Sequence, residues 1–120
     1  MPQIFTRLID AAQGKAPLSA KRSGAWPAAR RAHLDLHPSC AVCGSLEKLE
    51  VHHIRPFHLH PELELDPKNF VTLCESRGYA NCHLFFGHLG NYRSFNVDVL
   101  SDAGQWAHKI ATRPMAEAAA

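Results

Sequence analysis

The stretch "CAVCGSLEKLEVHHIRPF", residues 40–57, holds the pattern that decides the fold. Two residues separate Cys40 from Cys43, and the Gly44 that follows permits a tight turn in which both thiolates converge on one ion. The next residues, "LEVHHIRPF", predict a short strand closed by Pro56. Side chains alternate between the two faces of a strand, so His52 and His53 should point in different directions and serve different purposes.

Two more cysteines, Cys74 and Cys82, follow downstream. Together with Cys40 and Cys43 they would form a closed tetrahedral zinc site, whose task is folding stability. The C-x7-C spacing of the second pair is wider than in a zinc ribbon, which has two closely spaced cysteine pairs. The alternative is that Cys40 and Cys43 form a turn, or knuckle, that binds no metal, and that Cys74 and Cys82 are ordinary buried residues. In a reducing compartment four cysteines are more typical of metal ligands, or of reduced core thiols, than of two disulfides.

The flanking residues predict helices, a second strand and a loop. "WPAARRAHLDLH" predicts a helix with Pro27 in its first turn, and "NFVTLC" predicts a strand antiparallel to "LEVHHI". "HLHPELELDPK" lies between the two strands and predicts a loop. "NCHLFFGHLG" predicts a helix from about Asn81 to a stop at Gly90, and "VDVLSDAGQWAHKIATR" predicts a last helix that Gly104 interrupts. The class is therefore α+β.

Length and charge suggest one small domain with a basic arm. The formal net charge of the 120 residues is +2, but residues 1–31 carry six basic residues and one acidic residue, a net +5. Such an arm suits the phosphate backbone of a nucleic acid, whereas a solvated tail is the alternative. We expect an arm at 1–23, a folded domain at 24–113 and a disordered tail at 114–120. The candidate DNA contacts are Lys21, Arg22, Arg30 and Arg31.

The chain has no run of eighteen apolar residues, and its N-terminus lacks the basic-then-apolar order of a secretory signal. We therefore expect a soluble, cytoplasmic protein with no membrane partner.

Four of the nine histidines fall within the strands and the helix that the cysteines would join: His52, His53, His83 and His88. The other five lie next to turns or on helix faces, where ordinary structural roles account for them: His33, His37, His58, His60 and His108.

The motifs "CAVCG", "LEVHHIRPF", "DPKNFVTLC" and "NCHLFFGH", in this order, resemble the HNH nuclease family, also called the ββα-metal or His-Me finger nucleases. His53, Asn69 and His83 match the three residues of the family name. The resemblance covers about residues 22–100, because "RSGAW" and "GHLGNYRSFNVDV" are similar to flanks of small phage-type HNH proteins.

The resemblance implies a zinc-stapled hairpin and helix, with flanking helices, that grip one divalent cation against a scissile phosphate. It implies that His53 is the general base that activates water, that Asn69 fixes the hairpin loop and the base, and that His83 completes the metal site. His52 occupies a position where the family more often has an aspartate ligand. The unperturbed pKa of histidine, about 6.5, suits a general base near neutral pH.

Arg55 and His88 each have two possible roles. Arg55 lies two residues beyond His53 and is the candidate for stabilising charge on the phosphate; the alternative is a surface arginine. His88 lies five residues after His83, off the i to i+4 spacing of two ligands on one helix face, so it either binds the metal near a distorted helix end or supports a ligand. The ligand set is thus His52, His83 and possibly His88. Imidazole ligands shift the preference from Mg²⁺ toward Mn²⁺, Ni²⁺, Co²⁺ or Zn²⁺.

The leading hypothesis is a metal-dependent HNH endonuclease that nicks DNA or cuts both strands, as a monomer or a homodimer. The alternative is a zinc-stapled DNA-binding module without activity, which would need the cysteines but not the histidines. Other partners would be phage, restriction or defence components of a prokaryotic or phage system.

Overall fold

The computed structural model describes residues 21–76 and 80–116. Most of the predicted arm at 1–23 lies outside the described residues, and so does the end of the predicted tail, at 117–120. The division into arm, domain and tail therefore stays a prediction.

The described residues form an α+β fold in the predicted order. Helix α1 is Trp26–Leu36, strand β1 is Leu49–His53, and strand β2 is Phe70–Cys74. A π-helix follows at His83–Gly87, and helix α2 is Val99–Ala111. The predicted loop between the strands contains two short 3-10 turns, Pro61–Leu63 and Pro67–Asn69.

The two strands pair antiparallel, as predicted, with His52 opposite Val71 and His53 opposite Phe70. All five residues of β2 are buried. Helix α1 covers one side of the pair: the Trp26 ring lies 4.4 Å from the His53 ring and 5.3 Å from the Phe70 ring, measured between centroids. Pro27 occupies the first turn of α1, where its missing N–H removes no helical hydrogen bond.

The predicted helix after the hairpin is present, but it is wound as a π-helix. The Asn81 side chain accepts a hydrogen bond from the backbone N–H of Leu84 (2.9 Å), which satisfies one of the free donors at the start of the helix. At the other end the Gly90 N–H donates to the Leu84 carbonyl (2.9 Å) with a φ of +85°, a conformation that glycine adopts without strain. This widened helix contacts both strands and α2.

The core is small and rich in cysteine. One cluster of buried residues holds it together: Cys40, Val42, Ile54, Val71, Leu73, Cys74, Cys82, Val99 and Ala103. Three of these nine are cysteines, so a large share of the interior is built from potential metal ligands. A domain of this size buries little apolar surface, and metal ligation is one way such domains reach stability.

Within residues 21–76 and 80–116, no helix is long and apolar enough to cross a membrane.

Candidate active site

The four cysteines lie together. Their Sγ atoms are all within 4.8 Å of one another, and those of Cys43 and Cys74 are 3.6 Å apart. A tetrahedral zinc ion with Zn–S bonds of about 2.3 Å places its sulfur ligands about 3.8 Å from one another. The four thiols therefore fit a zinc ion. Cys40 and Cys43 come from the knuckle before β1, Cys74 from the end of β2, and Cys82 from the position before the π-helix. One ion would therefore join three segments.

The surroundings of the sulfur atoms favour the thiolate at Cys40 but the neutral thiol at Cys43 and Cys82. The Cys82 side chain, together with backbone amides of the knuckle, lowers the pKa of Cys40 to about 4. The same contact with Cys40, and burial, raise the pKa of Cys82. Four thiolates at these distances repel one another, so all four ionise together only around a cation.

Three of the four singled-out histidines form a second cluster. Nε2 of His83 lies 3.1 Å from Nδ1 of His52 and 3.2 Å from Nε2 of His88. β1 supplies His52, the π-helix begins with His83, and His88 caps its end. A π-helix repeats its hydrogen bonds from residue i to i+5, so it brings residues five apart onto one face. The structure thus places His88 beside His83, although an ordinary α-helix would separate them.

Hydrogen bonds orient two of these rings. Nδ1 of His88 lies 2.8 Å from the Ser94 carbonyl oxygen, and Nδ1 of His83 lies 3.3 Å from Oε1 of Glu75. A carbonyl and a carboxylate only accept hydrogen bonds, so each Nδ1–H donates and each Nε2 keeps its lone pair. Two lone pairs that face each other at 3.2 Å repel unless a cation lies between them.

His52 is buried, with 3% of its surface exposed. Burial, followed by the neighbouring His83 and His88, lowers the pKa of His52 to about 3, so the ring is neutral and able to ligate. Its Nε2 is buried and has no hydrogen-bond partner among the described residues. Gly87 packs directly on this ring, since a Cβ there would lie 3.0 Å from His52 Cε1. Three neutral imidazoles in this arrangement suit a transition-metal ion or zinc.

An open cleft of about 380 Å³ lies over this cluster, and its lining includes His52, His53, His83 and His88. His53 is half-buried, and its Nε2–H donates to the backbone carbonyl of Glu64 (2.9 Å). Its Nδ1 therefore keeps a lone pair. Burial and the nearby Arg22 charge lower the pKa of His53, which favours the neutral ring.

Asn69 is buried at the end of the second 3-10 turn, next to the start of β2. Its side chain accepts from the Arg55 N–H (2.8 Å) and donates to the Arg55 carbonyl (3.0 Å) and to the Leu63 carbonyl (3.3 Å). These bonds fasten the loop to the chain just after His53. The side chain is occupied by backbone groups rather than by the histidine cluster.

The arginine beside His53 differs from the one that the strand pattern indicated. Arg55 is exposed and does not line the cleft, whereas Arg22 does. The Arg22 guanidinium lies 4.5 Å from the centre of the Phe57 ring, and its Nη1 lies 3.5 Å from Glu64 Oε2. Because Glu64 also holds His53 through its carbonyl, one residue positions both the histidine and the arginine.

The other candidate DNA contacts do not line the cleft. Lys21 and Arg31 are exposed, and Arg30 lies 3.5 Å from the Glu50 carboxylate.

Glu64, Glu75 and Tyr92 are residues that the sequence patterns did not single out. Glu75 directly follows the ligand candidate Cys74, and this adjacency is the one signal that could have pointed to it. The Tyr92 hydroxyl donates to Oε1 of Glu75 (2.8 Å), and this bond lowers the pKa of the Glu75 carboxyl.

The family model described as HNH endonuclease matches residues 40–84. The match includes the four cysteines, His52, His53, Asn69 and His83, and it ends before His88. Residues 40–84 are therefore similar to HNH domains, a family that consists generally of nucleases that use divalent metals and act on DNA. No curated protein and no solved structure gives a significant match to the chain.

Proposed function

We propose that this protein is a metal-dependent endonuclease that hydrolyses DNA phosphodiester bonds. The observation that carries the proposal is the shared cleft: His53, with a free Nδ1 lone pair, lines the same opening as the three-histidine cluster. A DNA-binding module held together by zinc would need the cysteines alone. DNA as the substrate rests on the HNH domain.

His53 is the general base of the proposed reaction. Its Nδ1 takes a proton from a water molecule whose oxygen attacks phosphorus. The imidazolium that forms keeps its Nε2–H bond to the Glu64 carbonyl (2.9 Å), and this bond stabilises the positive charge. As the new bond between the water oxygen and phosphorus forms, the bond between phosphorus and the 3′ oxygen breaks. The 3′ oxygen takes up a proton from solvent, which leaves a 5′ phosphate and a 3′ hydroxyl.

His52, His83 and His88 are the proposed ligands of a divalent cation, which when bound would stabilise the charge that develops on the phosphate and on the leaving 3′ oxygen. Three protein ligands leave coordination positions free for the substrate, as catalytic metal sites require.

Arg22 is the proposed phosphate contact. It lines the cleft, carries a permanent charge, and is held by the Phe57 ring and the Glu64 carboxylate. Its guanidinium would bind a nonbridging oxygen and would stabilise the negative charge in the transition state. Lys21, Arg30 and Arg31 are proposed to bind the DNA backbone away from the cleft.

Plasmid nicking with Mn²⁺, Ni²⁺ or Mg²⁺ tests the proposal. His53→Ala should lower the nicking rate by about 100-fold or more, as expected when a general base is removed. The matched control is His108→Ala, which removes an exposed histidine on α2 and should keep the parent rate. Equal nicking by His53→Ala and the parent would contradict the catalytic role. DNA binding without nicking under any of these metals would favour the zinc-stapled binding module.

A further inference from the structure

We propose that Glu75 is a positioning residue for the histidine metal centre and that Tyr92 holds it in place. The inference rests on the proposed function, because it assumes that His52, His83 and His88 bind a cation. It concerns how His83 is oriented, which neither the family match nor the motif spacing assigns.

The contacts of Glu75 place it behind His83. Its Oε1 lies 3.3 Å from His83 Nδ1, on the side of the ring away from the Nε2 that meets His52 and His88. The cluster of possible ligand atoms contains the three histidines but not Glu75. The carboxylate therefore acts through the histidine and does not touch the metal.

Such a contact decides which nitrogen of the ring carries hydrogen. A carboxylate at Nδ1 accepts the Nδ1–H, keeps the lone pair on Nε2 and makes that nitrogen a stronger ligand. With hydrogen on Nε2 instead, His83 would point a hydrogen at the two other rings and could not ligate in this position. His88 needs no side chain for the same purpose, since the Ser94 carbonyl accepts its Nδ1–H (2.8 Å).

Tyr92 fixes the carboxylate from the solvent side. Its hydroxyl donates to the same Oε1 at 2.8 Å, and its ring lies 5.0 Å from the His88 ring and 6.0 Å from the His83 ring, measured between centroids. Tyr92 is also part of the cleft lining. One tyrosine thus lies against His83 in the π-helix, against His88 at its end, and against the carboxylate behind His83.

Glu75 also lies where the two clusters meet. Cys74 and Glu75 are neighbours, and so are Cys82 and His83. Each segment therefore sends one side chain to the cysteine cluster and the next to the contact between Glu75 and His83. The zinc-binding segments would therefore set the distance between Glu75 and His83. A test must show that a change at Glu75 leaves the cysteine site intact.

The test uses the full, untagged chain, purified with zinc and treated with a mild chelator to clear weaker sites. Ni²⁺ is titrated by calorimetry into the parent, Glu75→Ala, Glu75→Gln and Tyr92→Phe, with bound zinc and the melting temperature measured for each. Glu47→Gln is the control, since Glu47 is an exposed carboxylate outside both clusters. Glu75→Ala should weaken Ni²⁺ binding by at least about 10-fold at unchanged zinc content, as is typical of residues behind a metal-bound histidine. Tyr92→Phe should cause a smaller loss.

A second readout needs no variant. Long-range ¹⁵N–¹H NMR spectra of the folded parent, before Ni²⁺ is added, should show hydrogen on Nδ1 of His83. Hydrogen on Nε2 would overturn the proposal, and so would Ni²⁺ affinity that Glu75→Ala and Glu75→Gln leave at the parent value. The NMR result decides the matter if Glu75→Ala fails to fold.

Nicking measured on the same samples separates this inference from the proposed function. A parent that nicks DNA, with Ni²⁺ affinity unaffected at Glu75, would refute the positioning role alone. A parent that binds Ni²⁺ through Glu75-dependent histidines but never nicks DNA would refute the nuclease alone.

Discussion

The four-cysteine cluster and the three-histidine cluster are built from overlapping segments, yet they suit opposite tasks. The first brings together four cysteine side chains, which bind metal as negatively charged thiolates, and three of the four are buried in the core. The second brings together three neutral ligands at the wall of an open cleft. Four protein ligands saturate a tetrahedral ion, whereas three leave room for a reacting group. Ligand number and access to solvent thus separate a structural site from a catalytic one.

The largest effect that would test this contrast is loss of a cysteine. Cys40→Ser should abolish bound zinc and cooperative unfolding, because structural zinc contributes on the order of 10 kcal/mol in small metal-dependent domains. Metal analysis and thermal unfolding by circular dichroism measure both. Purified parent protein without zinc would contradict the four-cysteine assignment.

His83→Ala should produce the opposite result. We expect one bound zinc and a normal unfolding transition, but no binding of a second metal and at least about 100-fold slower nicking. Calorimetric titration of Ni²⁺ and the plasmid assay check the two losses. If His83→Ala lost zinc and cooperative unfolding as Cys40→Ser does, the two clusters would form one structural unit.

A comparison of Arg22, which lines the cleft, with Arg55, which does not, tests the role of the cleft. Arg22→Gln should lower kcat for nicking by about 100-fold, because a charge aimed at the transition state is lost. Arg55→Gln should lose much less, since Arg55 is exposed and does not line the cleft. Nicking rates at saturating DNA, with melting temperatures as a check on folding, compare the variants. A greater loss at Arg55 would restore it as the phosphate contact.

Two glycines give the smallest expected effect. A Cβ on Gly87 would lie 3.0 Å from the His52 ring, so Gly87→Ala should displace that ligand and weaken Ni²⁺ binding several-fold. Gly104→Ala on α2 meets nothing within 4 Å and should stabilise the helix by up to about 1 kcal/mol. Calorimetry and thermal unfolding distinguish the two. Unchanged Ni²⁺ affinity in Gly87→Ala would argue that His52 is not a ligand.

The sequence by itself determined the order of the elements, the Cys40–Cys43 knuckle, the antiparallel hairpin and the HNH motif. These features depend on local rules: alternation along a strand, turn residues, and ligands close together in the chain. The positions of His52 and His53 on neighbouring strand residues followed from the same rules. The roles assigned to them remain predictions.

Only the tertiary structure decided which side chains meet at the cleft. With the pitch of an α-helix, the five-residue spacing of His83 and His88 would put the two side chains on different faces. The wider turn of the π-helix brings them together. Arg22 reached the cleft from a segment before α1, and Glu75 and Tyr92 met His83 from two separate segments. Contacts between residues far apart in the chain depend on how whole elements pack, and the periodicity of the local sequence does not predict them.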